Sequence, residues 1–245
     1  VPDCTSILRT ILLITAVFAL LAQRLPVSGA DAIVPAYKPP AVVEGVIHYD
    51  PDPKRPWRYS RYYVANRKTG ELAEAVVCLS GKSLSGLAPR EKREEATIDQ
   101  KDYRFTPETI AIRAGDAVRF TNSDTSIHNV MTGDGIDPFN VNIQKDDSHT
   151  QTFRRAGGIK RPIRLGCAYH STMQAWIFVF DHPYYAVTEA DGKFRFENVP
   201  PGEYTLDVMH PSGGLLLSQK ITLDAGQTLQ QNVHVSPDNL TKEKP

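Results

Sequence analysis

Four side chains in this chain of 245 residues carry donor atoms that gain meaning as a set: His128, then Cys167, His170 and Met173 in the run Cys167-Ala-Tyr-His170-Ser-Thr-Met173. A soft thiolate, two imidazoles and a weak axial thioether are the donors of a blue-copper centre. Cupric ion is content with nitrogen and cuprous ion with sulfur. A site holding both donors in a compromise geometry therefore rearranges little and exchanges one electron quickly. The run 167–173 can loop three donors round one ion between two consecutive strands, leaving His128 to come from an earlier strand end. Asn129 follows it directly, placed to bridge the loops by hydrogen bonds and orient the donors. Taken singly, each of these residues reads as ordinary core, since lone histidines, buried cysteines and core methionines are common.

Other chemistries use some of the same residues. Zinc suits thiolate and imidazole but would be redox-silent. A haem attachment site needs Cys-x-x-Cys-His, and Cys167 has no such second cysteine. A copper oxidase or reductase needs a second, histidine-rich cluster with an open position. His48, His149, His182, His210 and His234 are instead scattered singly along the chain with no His-x-His, so the reading is a carrier and not an enzyme. Of the other cysteines, Cys4 stands ahead of an apolar leader and leaves with it, and Cys78 lies in the strand-like run Glu74–Leu79, where a small apolar side chain is buried. An oxidising compartment permits Cys78 and Cys167 to pair, but these surroundings argue against it. Asp99, Asp102 and the pair Asp146-Asp147 read as solvated loop carboxylates. Asp181-His182-Pro183-Tyr184-Tyr185 and Trp176 read as packing.

Strands must position the donors. Pro (18) and Gly (16) punctuate short runs of Val, Ile, Phe, Tyr and Thr, with no helical period beyond the N-terminus. That pattern belongs to sandwiches and not bundles. Lys plus Arg and Asp plus Glu both total 28, so no net charge points to nucleic acid or an anionic membrane. Strands are expected at Ala41–Tyr49, Leu72–Leu79, Thr109–Arg113, Ala117–Phe120, Ala175–Phe180, Gly192–Phe196 and Tyr204–Val208. Residues 81–97, charged in both signs, read as a solvated linker or short helix, and 237–245 as a polar tail. The apolar run Ile11–Ala22 follows Arg9, precedes small residues at 28, 30 and 32, and falls short of the about 20 residues of a membrane span. Residues 1–32 therefore read as a secretory signal peptide, which implies export to the periplasm or cell surface and no stable membrane span after cleavage.

The residues around the donors also carry a resemblance. Phe105-Thr-Pro107-Glu-Thr-Ile-Ala-Ile112, then Ala114-Gly-Asp116-Ala-Val118-Arg-Phe120-Thr-Asn122 and His128-Asn129-Val130, resemble the first half of small cupredoxins of the plastocyanin, pseudoazurin and amicyanin kind. The Cys-x-x-His-x-x-Met loop is similar in length to that of amicyanin. This resemblance covers residues 98–181 and implies a Greek-key sandwich with one type 1 copper site on His128, Cys167, His170 and Met173. Two features depart from it: Tyr169 and Ser171 flank His170 where amicyanin-like loops have a neighbouring proline, and a long polar insertion runs from Met131 to Arg161. The stretch from Ala186 to Leu206, with Gly192-Lys-Phe-Arg-Phe196 and Pro200-Pro201-Gly202, resembles the carboxypeptidase regulatory-like, or transthyretin-like, sandwich.

These likenesses together imply an all-β chain in which a cupredoxin at 98–181 lies within or beside a discontinuous second sandwich made of 41–80 and 184–236. Bacterial proteins of this mixed type carry methylamine utilization or plastocyanin-like labels, which name no substrate. The expected function is an exported carrier of single electrons between partner proteins, using copper as Cu(I)/Cu(II). Two other functions fit the same residues: holding or delivering copper, and a metal-free interaction module at the cell surface.

Overall fold

Short apolar runs become strands when one or both of their faces find cover, and the burial pattern sorts these strands into layers. A computed structural model describes residues 37–50, 53, 68–84, 87, 92–133 and 138–239. The signal-peptide reading at 1–32 and residues 240–245 of the polar tail lie outside the described residues, as does most of the charged run 85–91.

In chain order the first strands are β1 (Ala41–Tyr49), β2 (Val76–Ser80), β3 (Glu95–Lys101), β4 (Arg104–Thr106), β5 (Thr109–Arg113) and β6 (Ala117–Asn122). Then come β7 (His128–Thr132), β8 (Asn140–Ile143), β9 (Ser148–Thr152), β10 (Ile163–Gly166), β11 (Gln174–Phe180) and β12 (Tyr185–Val187). The last are β13 (Lys193–Val199), β14 (Gly202–His210), β15 (Leu215–Leu223), β16 (Thr228–Gln230) and β17 (Val233–Val235). The fold is all-β, with no α-helix among the described residues.

Four sheets result. One runs β13-β1-β16, with β17 also pairing β1, and the second runs β12-β2-β14-β15. The third runs β5-β11-β10-β7-β8 and the fourth β4-β3-β6-β9. Three apolar layers separate them. Val43 and Ile47 of β1 meet Val77, Leu79, Leu206 and Val208 of the second sheet in the first layer. Ile98, Val118 and Phe120 of the fourth sheet meet Ile110, Leu165 and Ile177 of the third in another. Between the second and third sheets, Val76 and Cys78 pack with Phe178, Phe180 and Ile159.

Strands β2 and β11 therefore lie between two layers each. In β11, Ala175, Ile177 and Val179 enter one layer while Phe178 and Phe180, flanked by Trp176, enter the next. This is why Ala175–Phe180 is apolar throughout instead of alternating. Strand β1, covered on one face, alternates buried and half-buried positions along its whole length.

Two sequence expectations change. Strand β3 begins at Glu95, inside the stretch read as a linker, and pairs in parallel with β6 from Glu95↔Ala117. The polar segment Met131–Arg161, read as an insertion, contributes β8 to the third sheet and β9 to the fourth. Both are edge strands made largely of polar residues, and Ile143 of β8 is the one fully buried residue in them. Their apolar alternation was too thin to stand out in the sequence.

Candidate metal centre

Strand pairing converts the spacing of the donor residues into proximity. Strand β10 ends at Gly166 and β11 begins at Gln174, and these two residues are register partners, so the loop 167–173 closes an antiparallel pair. Strand β7 lies antiparallel on the other side of β10, with Met131 opposite Gly166. The start of β7, His128, consequently stands at the end of the sheet where the loop emerges.

The Nδ1 atoms of His128 and His170 lie 3.1 Å apart, and Cys167 Sγ is 3.7 Å from His170 Nδ1. Donor atoms of these three residues all fall within 4.8 Å of one another, the one such group of His, Cys, Asp or Glu among the described residues. Transition ions hold imidazole nitrogen at about 2.0–2.1 Å and thiolate at about 2.3 Å, which leaves two neighbouring donors roughly 3–4 Å apart. The observed spacing fits an ion, and the soft-plus-imidazole donor set fits copper. His128 is fully buried and Cys167 nearly so, while His170 is partly exposed. Met173 closes the loop with its N–H donating to the His170 carbonyl at 3.0 Å. It is buried in the same apolar layer as Cys167.

Asn129 ties the two sides of the site together. Its backbone N–H donates to Cys167 Sγ at 3.4 Å, and its side-chain oxygen accepts the Ala168 N–H at 3.2 Å. Its Nδ2 reaches Asn140 Oδ1, the Val141 carbonyl and Asn142 Oδ1, all on β8. The sequence reading anticipated the bridge between loops but not the anchor on β8, since β8 itself was read as part of an insertion.

Two neighbours escaped the sequence reading. Asp124 Oδ2 lies 2.7 Å from His128 Nε2. Burial opposes ionisation of Asp124, but the Tyr103 N–H and His128 outweigh it and hold the carboxyl below the ordinary aspartate value. Tyr103 sets its ring nearly perpendicular to those of His128 and His170, with centroids 5.5 and 4.9 Å away. Its hydroxyl is 2.9 Å from Ser126 Oγ. An Asp four residues before a His is common in loops, and nothing in the spacing singles it out. Asp99 also departs from its reading as a loop carboxylate: it sits in β3 and accepts the Thr121 hydroxyl at 2.7 Å.

Away from the site, Cys78 and Cys167 are both free thiols, and burial pushes the Cys78 thiol far up. His48 and His234, distant in sequence, are register partners on β1 and β17 and stack at 5.0 Å. Tyr184 and Tyr185 pack into different apolar layers, as the packing interpretation of that segment requires.

Residues 93–177 match the family model for copper binding proteins of the plastocyanin/azurin family. Residues 174–236 match that for the carboxypeptidase regulatory-like domain. Both matches claim 174–177, and strand pairing places these residues in the sheet of the metal centre. No curated protein matches the chain. Among solved structures, a purple cupredoxin from Nitrosopumilus maritimus is 20% identical, covering 35% of this chain and 99% of its own, with a TM-score of 0.30. Amicyanin from Paracoccus versutus is 22% identical over 42% of this chain and 97% of its own, at 0.32. A copper-containing nitrite reductase from Thermus scotoductus is 19% identical over 55% of this chain and 28% of its own, also at 0.32.

Proposed function

We propose that this protein binds one type 1 copper through His128, Cys167 and His170, with Met173 as the axial donor, and passes single electrons between partner proteins without catalysing a reaction of its own. The observation that carries this reading is the convergence of two imidazole nitrogens and one cysteine sulfur at the end of the third sheet. Bound there, the metal would supply a one-electron couple between cupric and cuprous states. The protein's own contribution is to hold the donors still. Asn129 fixes the Cys167 side against the His128 side, and β10 and β11 fix both ends of the loop.

The surroundings of His170 support docking of a redox partner. Tyr103 and Tyr169 are each 50% exposed and Ile127 is 38% exposed, an apolar fringe beside the one partly exposed donor. Electron exchange over such a face needs close approach without strong binding. The domain reading is a cupredoxin at 98–181 set into a second sandwich built from 41–80 and 184–236, which would locate the carrier. Pairing of β2 with β12 and β14 supports it, as does pairing of β1 with β13. The apolar leader supports export to the periplasm or cell surface.

The experiment is a cupric titration of residues 33–245 followed by visible absorption and EPR, with Cys167→Ser alongside. An intense thiolate-to-copper band that saturates at one equivalent and vanishes in Cys167→Ser is expected. Colour indifferent to Cys167 overturns the reading. Slow electron self-exchange with ready metal loss would instead favour a copper-holding role.

A further inference from the structure

One carboxylate ties down the turn that roofs the metal centre. Strands β3 and β4 are joined by two residues, Asp102 and Tyr103, between the register partners Lys101 and Arg104. Both have positive φ, 53° and 58°, as a tight hairpin turn of the primed type requires. Such positions favour glycine or asparagine, and a bulky tyrosine adopts that conformation only when its surroundings hold it there. Asp124 does so: Oδ1 accepts the Asp102 N–H at 2.8 Å and Oδ2 the Tyr103 N–H at 3.0 Å. Held this way, the Tyr103 ring packs nearly perpendicular against both imidazoles.

The same Oδ2 also takes His128 Nε2, at 2.7 Å. An ionised carboxylate only accepts hydrogen bonds, so Nε2 must carry the proton. In the neutral ring Nδ1 then keeps its lone pair, and Nδ1 is the nitrogen that lies 3.1 Å from its counterpart on His170. Carboxylates that accept the second N–H of a metal-bound imidazole fix its tautomer and ring direction and raise its basicity.

We infer that Asp124 is a positioning residue of the metal centre: it selects Nδ1 of His128 as the donor, strengthens that donor, and holds the Asp102–Tyr103 turn over both histidines. The inference rests on the copper reading above. A fixed negative charge one ring away from the ion favours its more highly charged state, so Asp124 lowers the reduction potential.

The test compares the wild-type chain with Asp124→Asn, Asp124→Ala and, as a charge control, Asp146→Asn, whose carboxylate sits exposed beside Lys145. Nitrogen-15 NMR of the metal-free proteins reads the His128 tautomer. Wild type and Asp146→Asn should show protonated Nε2, and Asp124→Ala a mixture. In the copper-loaded proteins, cupric affinity should fall about 10–100-fold in Asp124→Ala. In Asp124→Asn, a tenfold loss of cupric over cuprous preference raises the potential by ~59 mV with the intense band retained. A blue wild type whose potential and tautomer stay put in both Asp124 variants, or move equally in Asp146→Asn, overturns the inference alone. A wild type without a blue band overturns the copper reading and the inference with it.

Discussion

Cys167 is the residue whose surroundings set the character of the site. Its sulfur accepts the Asn129 N–H and lies in an apolar layer with Met173. Hydrogen bonding to the sulfur, burial and the axial donor are the levers on potential. Replacing Met173 with Leu removes the proposed axial donor while keeping the volume, which would leave the site drier and favour the lower-charged cuprous state. The expected outcome is a retained blue band and a raised midpoint potential in a redox titration, with stability changed by less than about 1.5 kcal/mol for so conservative a swap. At this scale the donor types were legible in the sequence because few chemistries use Cys, His and Met together. Asp124 and Tyr103 were not, because their role depends on a turn between other strands meeting the loop before His128.

Strand β11 shows what one element does for two partners. Its odd-numbered residues face the layer that holds Cys167 and Met173, and Phe178 and Phe180 face the second sandwich. A strand buried on both faces tolerates truncation poorly. Phe178→Ala should cost about 3–5 kcal/mol in urea unfolding while leaving the copper spectrum of the folded protein unchanged, since that side chain points away from the site. A large spectral change would contradict the face assignment. The strand itself was legible, though as an alternating segment and not as one buried on both faces, and Ala41–Tyr49 was legible with the bounds observed for β1. Strands β8 and β9 were not, since edge strands with one wet face need few apolar residues.

Taken whole, the described chain from Lys38 onward forms one compact unit in which the two sandwiches share the Phe178–Phe180 layer. Titratable groups at that seam couple pH to stability. Glu74, next to Thr109 at the start of β5, is raised above 4.5, chiefly by burial and further by Glu108, and its Oε2 is buried with no hydrogen-bond partner. A raised carboxyl contributes stability that is complete below its unfolded value and lost as pH rises through the folded one. Glu74→Gln should therefore stabilise the protein at neutral pH, by urea midpoint, with the gain shrinking in acid. His182 is lowered below 6.5, chiefly by burial, so its contribution holds above that value and fades as pH falls through the folded one. The amino-acid order alone determined the all-β class and offered the candidate donor set, because side-chain alternation and ligand chemistry are local properties. Only the tertiary structure decided that β2 and β14 cover the back of the metal-site sheet, that the polar segment after Met131 joins both of its sheets, and that Asp124 reaches His128. Those depend on which strands pair across long separations, and hydrogen bonds between distant backbones leave no mark on residue spacing.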